Sequence, residues 1–152
     1  MAGAGATPGT RPTISDVTAR RLIDGALVEA ERESLAVTVV VVDESGVLKG
    51  LARMDGAALV SVETAINKAY AAAAIGMPPD DFYAAIESDG AAVAEFGTRP
   101  GLALIAGGVP VIVDGQPAGA IAVDGAMTGA EDRRIAEAAI SAAGRGGHDR
   151  AQ

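Results

Sequence analysis

The sequence predicts an α/β domain of the α+β kind: an antiparallel sheet with helices packed on its faces. Three observations carry this. The run Val37–Val42 is β-branched throughout, as strands prefer. Two turn signals, Asp43-Glu44-Ser45-Gly46 and Asp114-Gly115, join strand-like runs as hairpins rather than crossovers. Helical periodicity flanks and separates those hairpins, which gives the order α-β-β-α-α-β-β-β-α.

Taken in order, residues 1–13 are expected to be a flexible leader. The first helix is predicted over 15–33, where Val17, Leu22, Ile23, Ala26, Leu27 and Ala30 recur at helical spacing. Ser15 or Asp16 can cap its start. The strand at 37–42 is apolar on both faces, so it should be central and covered on both sides. The next strand, Val47 to Arg53, puts Val47, Lys49, Leu51 and Arg53 on one face and Leu48, Gly50, Ala52 and Met54 on the other. A second helix is predicted over 58–75, with a stripe of Val62, Ile66, Ala69 and Ala73 and a C′ glycine at Gly76. Asp80-Asp81 opens a short third helix through Ser88. Leu102–Ile105 reads as a strand and Gly107-Gly108 as a tight turn. Val109–Val113 and Pro117–Val123 then form the second hairpin. Thr128 and Glu131 match a capping box and open a last helix over 129–143. The Gly-rich, polar residues 144–152 are expected to be disordered. Residues 14–143 thus read as one domain.

Composition narrows the function. Of 152 residues, 49% are hydrophobic but only 3% aromatic, so the core must be built from Ala, Val, Leu and Ile. Such small side chains let subunits approach closely, and a homo-oligomer is expected. The net charge of -8, from 12 Lys+Arg against 20 Asp+Glu, argues against nucleic acid and against an anionic membrane surface. No stretch has the roughly 20 apolar residues of a membrane-spanning helix, and the N-terminus lacks a secretory pattern; a cytoplasmic protein is expected. Cysteine is absent. The single histidine, His148, lies in the tail, which argues against a Ser-His-Asp triad and a His-ligated zinc site. No metal site is expected.

Several residues carry candidate chemistry. Arg53-Met54-Asp55-Gly56 ends an apolar run. Arg53 either contacts Asp55 to lock the turn or presents its fork to a ligand carboxylate, enolate or propionate. Lys68, among alanines in the second helix, either snorkels to solvent or faces a ligand as anion partner or base. Tyr70 is either core or a hydroxyl donor to a ligand carbonyl. Asp124 is either a turn residue or a general acid or base. Glu131 and Asp132 are expected to serve the last helix N-terminus through capping and dipole. Arg99 either lies on the surface or closes a ligand site. Gly107-Gly108 lacks any nucleotide-binding signature.

The ordered set VVD, RMDGA, NKA, GGVP, DG, GAIAVDGA and an acidic opening of the last helix resembles the GlcG/HbpS family. This is the haem-degrading or haem-binding DUF336 family, to which the PduO C-terminal domain also belongs. The resemblance covers residues 14–143. It implies a profilin-like fold, a five-stranded antiparallel sheet with helices on its faces, assembled into oligomers, with haem as a ligand of some members. Two departures stand out. The folded part offers no histidine, so haem iron would need Met54, Met77, Tyr70, Tyr83, Lys68 or a hydroxyl. Relatives read Gly-Val-Ser-Gly where this chain has Ala122-Val123-Asp124-Gly125.

Two readings follow. One is a binding protein that holds a small apolar or planar ligand, haem being the family's candidate, between the second helix and the sheet near a subunit interface. Arg53, Met54, Asp55, Lys68, Tyr70 and Arg99 would line its site. The other is a cofactor-independent isomerase, cyclase, hydratase or lyase acting on a small organic substrate. There Asp124 or Lys68 moves the proton, with Tyr70 or Asp55 as further candidates, and Arg53 stabilises developing negative charge.

Overall fold

A computed structural model describes residues 8–146. The elements are α1 (Asp16–Arg32), β1 (Thr38–Asp43), β2 (Leu48–Arg53), α2 (Val60–Ile75), α3 (Pro79–Ile86), α4 (Gly90–Gly97), β3 (Gly108–Val113), β4 (Gln116–Asp124) and α5 (Gly129–Gly146). The strands form one antiparallel sheet in the order β2-β1-β4-β3. Helices α1 and α5 cover one face and α2 the other.

The alternation along β1 and β4 builds both cores. Val37, Val39, Val41, Ile121 and Val123 meet α1 and α5. Val40, Val42, Ala120 and Ala122 meet Ala65, Ala69 and Ala72 of α2. The β-branched run is therefore central and covered on both sides, as its composition predicts. Local signals also hold. Ser15 caps α1 by accepting from the Thr18 N–H at 3.1 Å. The Asp43 carboxylate accepts from the N–H groups of Ser45 and Val47 in the first hairpin turn. Asp114 and Gly115 both take positive φ, as a two-residue hairpin turn requires.

Four expectations need correction. The sheet has four strands, not five. Leu102–Ile105 forms no strand among the described residues; it runs beside α2, where the Ala103 N–H reaches the Asn67 carbonyl at 3.5 Å. The segment lies along a helix instead of extending a ladder. A fourth helix follows the short third one, capped by Asp89, whose carboxylate accepts from Ala91 and Ala92. The buried stripe of α2 is Ser61, Ala65, Lys68, Ala69 and Ala72, while Ile66 faces outward. Alanine faces the sheet because only a small side chain lets helix and strand backbones come close, and that outweighs the larger apolar residues. Finally, α5 continues to Gly146, so residues 144–146 are helical. The remaining tail, with His148, and leader residues 1–7 lie outside the described residues. Residues 8–15 have no regular secondary structure, yet the Ile14 N–H donates to the Ala118 carbonyl.

Candidate functional site

Lys68 is the most unusual residue in the fold. It is the largest fully buried side chain, 1% exposed, in the middle of α2. Its ammonium donates to the Val123 carbonyl at 3.1 Å, to Asp124 Oδ1 at 2.7 Å and to Asp132 Oδ2 at 3.1 Å. An ammonium has three protons, and all three have acceptors. Lys68 therefore does not snorkel to solvent. It ties α2 to the end of β4 and to the start of α5, and it has no proton left for a substrate.

Asp132 and Asp124 differ in their surroundings. Asp132 is buried, and its second oxygen accepts from the Ala126 N–H at 2.9 Å. Burial raises the Asp132 carboxyl above its ordinary value, against the Ala126 hydrogen bond and the Lys68 charge. Its expected capping role falls to Glu131 alone, which exchanges hydrogen bonds with Thr128 in a capping box. Asp124 is 18% exposed, with Oδ1 on Lys68. No group among the described residues donates to its other oxygen, Oδ2.

Gly107 and Gly108 are more than a tight turn. A Cβ on Gly107, at φ +134, would stand 2.7 Å from Lys68 Nζ and 2.5 Å from the Val123 carbonyl oxygen. A Cβ on Gly108 would stand 2.5 Å from the Lys68 carbonyl oxygen. Gly107 leaves the space in which the ammonium sits, and Gly108 lets the start of β3 approach the backbone of α2.

Arg53 lies on the same face of the sheet as Asp124, since both pair with Thr38 across neighbouring strands. The buried Thr38 and Ser61 hydroxyls, 2.7 Å apart, stand between them and bring the start of α2 down onto the sheet. Arg53 is thus separated from Lys68 and Asp124. It lies exposed at the end of the edge strand, and among the described residues it makes no ion pair or hydrogen bond with Asp55. Asp55 is exposed in the following turn, where Gly56 takes φ +87. Met54 turns inward: its sulfur accepts from the Val37 N–H at 3.4 Å, and it packs on the α1–α5 core. RMDGA thus ends the edge strand and is anchored by its methionine.

Tyr70 and Arg99 do converge. Both line a cleft of about 300 Å³ on the outer side of α2, with Ala74, Ile75, Phe82, Phe96 and Leu102. Tyr70 is 39% exposed rather than core, and its ring packs where Gly46 has no side chain. Phe82 and Phe96 meet edge to face at 5.1 Å. The Arg99 guanidinium sits 4.8 Å above the Phe96 ring and pairs with Glu95 at 2.6 Å. The space between α2 and the sheet, where a ligand is expected from sequence, is filled by fully buried Val and Ala side chains. Phe82, Phe96 and Leu102 escape sequence reading as a group because they come from three separate elements: the short third helix, the unpredicted fourth one and the run misread as a strand. The Asp89 cap before Gly90-Ala91-Ala92 is the signal that could have found the helix carrying Phe96.

Among the described residues no helix is long and apolar enough to cross a membrane, and no group of three or more His, Cys, Asp or Glu could hold a metal ion. Comparisons with known proteins agree with this architecture. Residues 14–141 match the family model described as haem degrading protein HbpS-like. Protein GlcG of Escherichia coli K12 is 35% identical over 114 residues, covering 75% of this chain and 83% of that protein. A double mutant of Streptomyces reticuli HbpS superposes with a TM-score of 0.80 at 28% identity, covering 93% of this chain and 97% of that one. A structure of a PduOC–haem complex superposes with a TM-score of 0.78 at 26% identity, covering 86% and 94%. By sequence and by fold, then, the chain belongs to the HbpS-like family.

Proposed function

We propose that this protein binds a planar, mostly apolar ligand bearing carboxylates, with haem as the member of that class its relatives point to. The observation that carries this reading is the cleft outside α2. It combines two aromatic rings packed edge to face, a guanidinium fork held over one of them and a phenol hydroxyl. Arg99 would take a propionate, exchanging Glu95 for it. Tyr70 would supply the iron ligand, a residue type known in haem proteins. Of the other iron-ligand candidates, Lys68 is fully engaged and Met54 faces the core. Met77 and Tyr83 are exposed outside the cleft lining. Haem supplies a redox-active iron when bound; the chain supplies the apolar walls, the cation and the oxygen ligand. At about 300 Å³ the cleft lies at the small end of ligand pockets and is open on one side. It would grip one edge of the ring, and a second copy of the chain would cover the rest, which is the place of a homo-oligomer in this reading. The acid–base alternative is weaker on this geometry, because Lys68 has no free proton and Arg53 stands apart from Asp124.

Haem titration followed by absorbance tests the proposal. A saturable Soret shift is expected at one haem per chain. Tyr70→Phe should change the band position, and Arg99→Ala should weaken binding by about tenfold, the worth of one charge-assisted hydrogen bond. A titration without saturation, or an unchanged spectrum and affinity in both variants, would refute it.

A further inference from the structure

The two helices on the other face of the sheet pack closely against each other. A Cβ on Gly25 of α1 would stand 3.4 Å from the Ala139 Cα of α5. On their outer side they leave an open groove of about 510 Å³, lined by these two helices alone. Gly25, Ala138 and Ala142 line it, and their side chains are too small to fill it. Val28, 50% exposed, stands on its α1 wall. Small residues at a helix surface let another helix come close, and the charges along the wall say which helix fits.

Asp24, Val28 and Arg32 follow one another in steps of four along α1, so they form a single ridge, and all three line the groove. Asp24 is exposed and makes no ion pair among the described residues, although Arg145 lines the same groove. Arg32 is exposed too and meets only Glu29, at 3.6 Å. The ridge thus has a free acid at one end, a weakly held base at the other and a valine midway. Such a ridge is complementary to itself when reversed. A two-fold axis through Val28 sets each Asp24 against the Arg32 of the other copy and Val28 against Val28. The charged positions lie about 6 Å along the helix from the axis, at 1.5 Å per residue. Ridges of this kind cross at about 50°, which keeps an arginine and an aspartate within reach at that distance. The net charge of -8 drives copies apart at long range, so a face on which they meet needs local opposite charges of this kind.

We propose that the α1–α5 face docks onto a second copy of this chain about a two-fold axis at Val28, with the second copy's α1 ridge seated in the groove. The two Asp24–Arg32 pairs fix its register. This face lies across the sheet from the cleft outside α2, and the inference does not rest on the ligand reading of that cleft.

Analytical ultracentrifugation of the full chain over a range of concentrations tests this. The parent chain should self-associate. Val28→Glu, which sets two carboxylates on the axis, should abolish this association step and halve the mass of the assembly. Asp24→Arg turns two attractive pairs into two repulsive ones and should weaken the step by at least about tenfold; Arg32→Asp should do the same. The double variant Asp24→Arg with Arg32→Asp writes the same ridge in reverse, and should return the affinity to within about threefold of the parent. Association through any other face stays the same in every variant, so the loss and rescue of this one step can be read on its own. Circular dichroism establishes that each variant is folded, and Val28→Lys joins Val28→Glu in deciding the matter if a charge-reversed chain is not. The proposal is overturned if the parent chain is a monomer, if the folded Val28 variants or the single charge reversals assemble as the parent does, or if the double variant is as weak as the single ones.

Discussion

Replacing Lys68 by Met keeps most of the buried stem and removes the ammonium. Two carboxylates, Asp124 and Asp132, would then face one another without a cation. Breaking a buried ion pair from one side costs about 3–5 kcal/mol. The variant can limit this cost by holding Asp132 protonated. For a carboxyl of ordinary value 3.8, that costs about 4 kcal/mol at pH 7, at roughly 1.4 kcal/mol per pH unit. The two routes agree, so the expected loss is about 4 kcal/mol, or of order 10 °C in Tm for a domain of this size. Urea denaturation followed by circular dichroism measures it. The sign of its pH dependence follows from the same argument. In the variant the folded state holds a proton that the unfolded state releases above about 3.8. Its deficit should therefore be large at neutral pH and shrink toward acid, by up to about 1.4 kcal/mol per unit. A loss under about 1 kcal/mol would refute the reading of Lys68 as the cation of a buried cluster. A large loss independent of pH would mean that packing, not charge, was removed.

Two further outcomes are expected. In the parent chain the raised Asp132 carboxyl contributes stability that is fully present below 3.8 and fades as pH rises through its folded value, so Asp132→Asn should flatten that part of the stability–pH profile; an unchanged profile would contradict the assignment. Gly107→Ala should lower stability by at least about 2 kcal/mol in urea denaturation, because its φ of +134 is strained for alanine and its Cβ would meet Lys68 Nζ at 2.7 Å; a change within about 0.5 kcal/mol would mean the turn relaxes freely.

What the sequence determined by itself is local. The β-branched run Val37–Val42, the Asp-Gly turn at Asp114 and the Thr128–Glu131 capping box are short-range devices, and each appears where its residues predict. The ordered motifs VVD, RMDGA, NKA, GGVP and GAIAVDGA, also read along the chain, carry its resemblance to the family. The partner of Lys68 was not legible in this way. Asp124 and Asp132 lie 56 and 64 positions along the chain and meet the lysine only because α2 and α5 pack on opposite faces of one sheet near the end of β4. Arg53 and Asp124 read as one group in sequence, but the Thr38–Ser61 contact under the start of α2 divides them. The cleft needed tertiary structure most of all. Phe82, Phe96 and Leu102 come from a short helix, an unpredicted one and a misread strand, and no periodicity connects them. Periodicity describes which side of an element is apolar; packing decides which element that side meets, and binding sites are made by the second of these.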